Sequence, residues 1–155
     1  MELIDRHNSP PTQPFAALAR DDQSGTERKL EQNPRILVVE DDFLVATEIE
    51  VALQDAGFAV TGVAASAEEA IALGQSTTPD LAIVDIRLNG VRDGVDAAVT
   101  LFRDHAIPCV FATAHADATV RARAAAASPL GWLQKPYTMP LLIDTVRRAL
   151  AQRRG

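Results

Sequence analysis

From Pro34 onward, short apolar runs alternate with longer stretches whose apolar positions recur at helical spacing. Ile36-Leu37-Val38-Val39 is a β-branched run of the length and uniformity expected for a strand buried on both faces. Phe43 to Ala56 carries Leu44, Val45, Ile49, Leu53 and Ala56 along one helical face and stops at Gly57. Phe58 to Val63 reads as a second strand. Ser66 followed by Glu69 has the spacing of a capping box and predicts a helix to about Gly74. Leu81-Ala82-Ile83-Val84 is a third buried strand, entered through Pro79-Asp80, and Gly94 to Phe102 is helical. Ile107 to Ala112 is a fourth strand and Ala116 to Ala127 an Ala/Arg-rich helix. Gly131 to Gln134 is a short fifth strand, and Pro140 to Gln152 the last helix. Such strict alternation predicts an α/β fold: a doubly wound parallel sheet of five strands with helices on both faces. In such sheets the site lies at the carboxyl ends of the strands, where the strand order reverses.

Residues 1–33 break this rhythm. Pro10, Pro11 and Pro14 are followed by the polar run Asp21 to Lys29, which buries too little to offset its ordering entropy. A flexible extension is expected over 1–33, with one short helix over Phe15 to Arg20, and the folded domain over 34–155. The extension is either a docking segment or a plain tail.

Composition narrows the function classes. The 155 residues are 47% apolar and 23% charged, the balance of an ordinary globular domain. No apolar run approaches the ~20 residues needed to span a bilayer. The N-terminal residues lack the basic-then-apolar order of a signal peptide. A net charge of -6 argues against binding nucleic acid through its phosphates. Cys109 is the single cysteine, so no internal disulfide forms, and a cytoplasmic location is expected.

The candidate chemistry sits at the strand ends. The first strand runs into Glu40-Asp41-Asp42, the third into Asp85, the fourth into Thr113, and the fifth into Lys135-Pro136. In a parallel sheet all of these meet at one edge. Clustered carboxylates raise one another's pKa unless a cation sits among them. A hard divalent ion with oxygen ligands suits them, and Mg²⁺ suits best if the partner is a phosphate.

Val38-Val39-Glu40-Asp41-Asp42, Asp85-Ile86-Arg87-Leu88 running to Asp93-Gly94, Ala112-Thr113-Ala114 and Lys135-Pro136-Tyr137 together resemble the receiver domain of bacterial response regulators. The resemblance covers about Pro34 to Arg154. It implies a flavodoxin-like sheet of order 2-1-3-4-5, and a phosphoacceptor in a two-component system or phosphorelay. Asp85 would be the nucleophile that forms an acyl phosphate. Asp41 would bind Mg²⁺ directly, with Glu40 helping through water and Arg87 through its main-chain carbonyl. Asp42 is either a third acidic ligand or the cap of the following helix. Thr113 would donate its hydroxyl to the phosphoryl group and Lys135 would pair with it. The resemblance also implies a cis Lys135–Pro136 bond, which only an X–Pro peptide adopts cheaply.

The switching residues implied are Thr113 and the aromatic position three before the lysine, here Trp132. Most relatives carry Tyr or Phe there, so Trp132 is either an indole that swings inward or a fixed aromatic at the sheet edge. Arg87 and His115 either shield the phosphoryl group or simply face solvent. Phe111-Ala112-Thr113 matches the opening of the "FAT GUY" motif of some single-domain receivers, while Ala114 and Ala116 depart from it. Because the sequence stops soon after the last helical pattern, a stand-alone receiver without an effector domain is expected. It would take phosphate from a histidine kinase or histidine phosphotransfer protein and act on a downstream protein target, with no nucleic acid or membrane involved. It would accept and hydrolyse its own aspartyl phosphate and would not be a conventional turnover enzyme. Two other readings are a receiver-shaped adaptor working without phosphorylation, and a Mg²⁺-dependent phosphohydrolase. The second lacks the catalytic Asp normally found two residues after the nucleophile, where Arg87 stands.

Overall fold

The structure is a computed structural model that describes residues 33–154. The reading of residues 1–33 therefore lies almost wholly outside the described residues. Within them the order is β1 (Arg35–Val39), α1 (Phe43–Asp55), β2 (Ala59–Ala64), α2 (Ala67–Thr77), β3 (Leu81–Asp85), α3 (Gly94–His105), β4 (Cys109–Thr113), α4 (Ala118–Ala124) with a 3₁₀ turn (Ala125–Ala127), β5 (Gly131–Gln134) and α5 (Met139–Arg154). The five strands form one sheet in the order β2-β1-β3-β4-β5, all parallel. The chain winds from β1 outward to β2, then returns to place β3 on the other side of β1. The reversal therefore falls between β1 and β3.

Strand parity decides which helix covers which face. Ile36, Val38, Leu81, Ile83, Val110, Ala112 and Leu133 point to one side, against Ile49 and Leu53 of α1 and Leu142 and Val146 of α5. Leu37, Val39, Ala82, Val84, Cys109 and Phe111 point to the other, against α2, α3 and Ala124 of α4. β1, β3 and β4 are buried almost end to end, which is why they read as unbroken apolar runs.

Several boundaries differ from the sequence expectation. α2 continues past Gly74 to Thr77, because Gly74 is not a stop: a Cβ there would lie 2.3 Å from Leu101 Cδ2, so the glycine lets α2 and α3 close on each other. The αL residue that ends α2 is Thr78, at φ 45°. Its capping differs in detail as well. Ser66 accepts from Glu69 N, but the Glu69 carboxylate reaches the N–H of Ala65. α3 runs on to His105, and α4 starts at Ala118 because Asp117 caps it, accepting from Val120 N.

Cys109 is 1% exposed in the middle of the core, and burial pushes its thiol up to about 12. A disulfide reagent at pH 8 should leave the native protein unlabelled and label it fully in guanidinium. Rapid labelling of the folded chain would contradict the placement of β4.

Candidate phosphoacceptor site

The reversal of strand order leaves a crevice between the ends of β1 and β3, and the acidic residues lie in it. Glu40, Asp41 and Asp85 each offer a carboxylate oxygen within 4.8 Å of the others. Glu40 and Asp85 are buried, at 4% and 6% exposure. Lys135, which follows β5, reaches across with its Nζ 3.2 Å from Asp85 Oδ2 and 3.7 Å from Glu40 Oε1. Lys135 N donates to Thr113 O at 2.9 Å, which anchors the base of this side chain; the Lys135–Pro136 peptide is cis as expected.

Main-chain donors orient the carboxylates. Asp85 Oδ1 accepts from Arg87 N at 3.2 Å, Glu40 Oε2 from Asp42 N at 3.1 Å, and Asp41 Oδ2 from Asn89 N at 3.2 Å. Burial, opposed by the Asp42 N–H and reinforced by nearby Asp85, pushes Glu40 up to about 7. Burial and then the same two carboxylates push the Tyr137 hydroxyl up to about 12. One ammonium against this much negative charge leaves the crevice short of positive charge. Its oxygen donors fit a small hard dication such as Mg²⁺, held by Glu40, Asp41 and Asp85.

Asp42 does not join them. Its side chain caps α1, accepting from Leu44 N at 3.0 Å and Val45 N at 3.2 Å. Thr113 lies at the end of the adjoining strand, but its hydroxyl is turned to its own loop. It donates to His115 O at 3.1 Å and accepts from His115 N at 3.2 Å. With His115, Arg121 and Trp132 it lines a separate cavity of about 250 Å³. Trp132 is half-buried, 5.1 Å from Phe111 between ring centres, with the Arg121 guanidinium 4.3 Å above its ring. Of the two side chains thought to flank the phosphoryl, exposed Arg87 borders the Asp85 cavity, whereas exposed His115 borders that of Thr113.

Three groups were given no role at the site by the sequence reading. Gly94 opens α3 directly beneath Asp85: its N–H donates to Ile86 O at 2.8 Å, and a Cβ there would fall 2.0 Å from the Asp85 carbonyl oxygen. Asp93 caps α3 in a reciprocal box with Asp96, a spacing that the sequence does display. Arg123 of α4 then grips that box, with bonds of 3.0 and 3.0 Å to Asp93 and 3.3 Å to Asp96. Burial raises the Asp93 carboxyl, but Arg123 and the Asp96 N–H outweigh it and hold it below its usual value.

Residues 36–147 match the family model of the response regulator receiver domain. The chain belongs to the receiver family. It is 31% identical over 118 residues to the transcriptional regulatory protein PdtaR of Mycobacterium tuberculosis, covering 76% of this chain and 57% of that one. It is 32% identical over 97 residues to the phyllosphere-induced regulator PhyR of Methylorubrum extorquens, covering 62% of this chain and 36% of that one. The receiver thus spans only part of the length of these relatives. Among solved structures, the signal receiver domain of a modulated diguanylate cyclase from Desulfovibrio desulfuricans superposes with a TM-score of 0.73 at 34% identity, over 79% of this chain and 97% of that one. A CheY-like receiver from Methanospirillum hungatei superposes at 0.72 with 21% identity, over 79% and 99%, and shows the fold. The expected receiver resemblance and the strand order are both borne out. Among the described residues no helix is long and apolar enough to cross a membrane.

Proposed function

We propose that this receiver accepts a phosphoryl group on Asp85 from a histidine kinase or histidine phosphotransfer protein. Glu40, Asp41, Asp85 and the main-chain carbonyl of Arg87 would hold Mg²⁺ for this step. The observation that carries the reading is the contact of Lys135 Nζ with Asp85 Oδ2 at 3.2 Å, both residues lining a cavity of about 670 Å³. A carboxylate is thereby aimed at a space large enough for the donor's phosphoryl group.

An oxygen of Asp85 forms the new O–P bond as the donor's N–P bond breaks, and the electron pair stays on the imidazole nitrogen. When held there, the cation would supply neutralisation of the phosphoryl oxygens. The Arg87 N–H and Lys135 fix the two oxygens of Asp85, so the attacking group arrives already oriented. Lys135 suits a contact that must move from Asp85 to the phosphoryl, because an ammonium binds as a point charge. Thr113 reaches the phosphoryl by giving up its bond to His115, and Trp132 shares its cavity and follows that movement. The chain then hydrolyses its own aspartyl phosphate, in place of turning over a free substrate.

The receiver in this reading is residues 34–155, with 1–33 an extension before it, acting in the cytoplasm. Its output is contact with a downstream protein, and a net charge of -6 disfavours nucleic acid in that role. A phosphorylation-independent adaptor is a poorer reading. Burying Glu40 and Asp85 side by side costs stability, and only the chemistry gives that cost a purpose.

The test is to incubate the chain with acetyl phosphate and Mg²⁺, then with borohydride, which reduces an aspartyl phosphate to homoserine. Intact mass should show one phosphoryl group before reduction, and fragmentation should then find homoserine at position 85. No added phosphoryl, or homoserine at position 40 or 41, rejects the proposal.

A further inference from the structure

We propose that Arg123 is a charge-responsive latch, holding α4 on the capping box of α3 until a phosphoryl group on Asp85 draws it away. The phosphoryl half of this rests on Asp85 being the acceptor.

α4 is unusually dependent on polar contacts. It has seven residues, of which Ala124 is buried and Val120 is partly buried against the core, so its apolar anchorage is slight. Two arginines on the same short helix make its conspicuous contacts. Arg123 forks onto Asp93 and touches Asp96, while Arg121 lies over Trp132. Arg123 is 43% exposed, Asp93 31% and Asp96 42%. Ion pairs this exposed contribute little and weaken further in salt. The latch is therefore closed but easily opened.

What opens it is set by position. Arg123, Asp93 and Val120 line the same cavity as Asp85 and Lys135. Phosphorylation replaces the single charge of the Asp85 carboxylate with about two on a phosphoryl group, a net gain of about one that also stands further out in that cavity. A guanidinium fork matches a phosphoryl group as well as it matches a carboxylate. The new anion thus competes with Asp93 and Asp96 for a cation that they hold only loosely. When Arg123 leaves them, α4 loses its tie to α3, and Arg121 is carried off the indole. Charge at Asp85 is read at Trp132, on the far side of α4, through two side chains of one helix.

Trp132 is the only tryptophan of the 155 residues, so its emission reports the Arg121 contact, together with any movement of Thr113. The experiment uses the full chain with Mg²⁺, with and without acetyl phosphate, intact mass confirming the load. Wild type should change its emission on loading. Arg123→Gln should show the part of the change due to Arg121 already when unloaded, and respond less than wild type on loading, the remainder coming from Thr113. Raising NaCl from 0.1 to 1 M, which shortens the screening length from about 10 to about 3 Å, should move unloaded wild type in the same direction. It should leave Arg123→Gln unmoved. Arg123→Lys, which keeps the charge without the fork, should fall between them. A folded Arg123→Gln with wild-type emission and a full response to loading overturns the latch, as does a wild type indifferent to salt. If wild type gains no mass, the acceptor reading fails and takes the phosphoryl half with it. The salt arm then decides the latch by itself.

Discussion

Gly94→Ala should cost this protein about 3 kcal/mol or more, and should cut phosphorylation of whatever remains folded. The new methyl would sit 2.0 Å from the Asp85 carbonyl oxygen, 2.8 Å from its carbonyl carbon and 2.8 Å from Ile86 Cα. All three are backbone atoms, so no rotamer change relieves the overlap. Either α3 backs away from the sheet or the end of β3 shifts, and Asp85 moves in both cases. Gly74→Ala makes the informative comparison. There the nearest atom is the tip of Leu101, which can turn aside, so the loss should be clearly smaller. Thermal unfolding of the two variants should rank Gly94→Ala below Gly74→Ala, and only the former should lose acetyl phosphate reactivity. Equal melting temperatures would show that the approach of α3 to Asp85 is looser than described.

The second large effect is a dependence of stability on pH that Mg²⁺ reverses. Glu40 is raised from an ordinary 4.5 to about 7 by burial and by its neighbour Asp85. Between those values the folded chain holds a proton that the unfolded chain has released. In the presence of a chelator, stability should therefore be highest near pH 4.5, fall as pH rises to 7, and level off above it. The full span is on the order of 3 kcal/mol, or on the order of 10 °C in melting temperature. Asp93, whose carboxyl is lowered, acts in the opposite sense, but only below its ordinary 3.8, outside the window. Glu40→Gln should flatten the curve and melt above wild type at pH 8 in chelator. Mg²⁺ should restore wild type at pH 8, because an ion bound only by the folded state adds stability by mass action. It should restore Glu40→Gln less. A wild-type curve that climbs from pH 5 to 8 in chelator would refute the account.

How far the sequence revealed this depends on the range of each interaction. β1, β3 and β4 were plain because strands covered on both faces must be apolar throughout, and their polar termini stood out against that background. The convergence of Glu40, Asp41, Asp85 and Lys135 followed once the strands were parallel. Helix ends were less legible. Gly74 looked like a terminus, although its glycine serves an approach to Leu101 from another helix. Arg123 was invisible for a similar reason: its partners lie 30 and 27 residues away, and an Ala/Arg-rich helix gives no hint of which arginine is engaged. Thr113 was correctly located on its strand, but its rotation toward His115 depends on loop geometry that no residue pattern encodes.

Glu40, Asp41 and Asp85 gather at one rim of the sheet, and this has a practical side. Pro34 and Arg35 enter at the opposite rim, where Arg35 N is held by Asp80 Oδ2 at 2.8 Å. The five residues of β1 place roughly 16 Å between that rim and Glu40. A fluorophore or affinity handle grafted just ahead of Pro34 would thus stand clear of any docking donor, making that junction the natural anchor for tethering the molecule to a sensor chip.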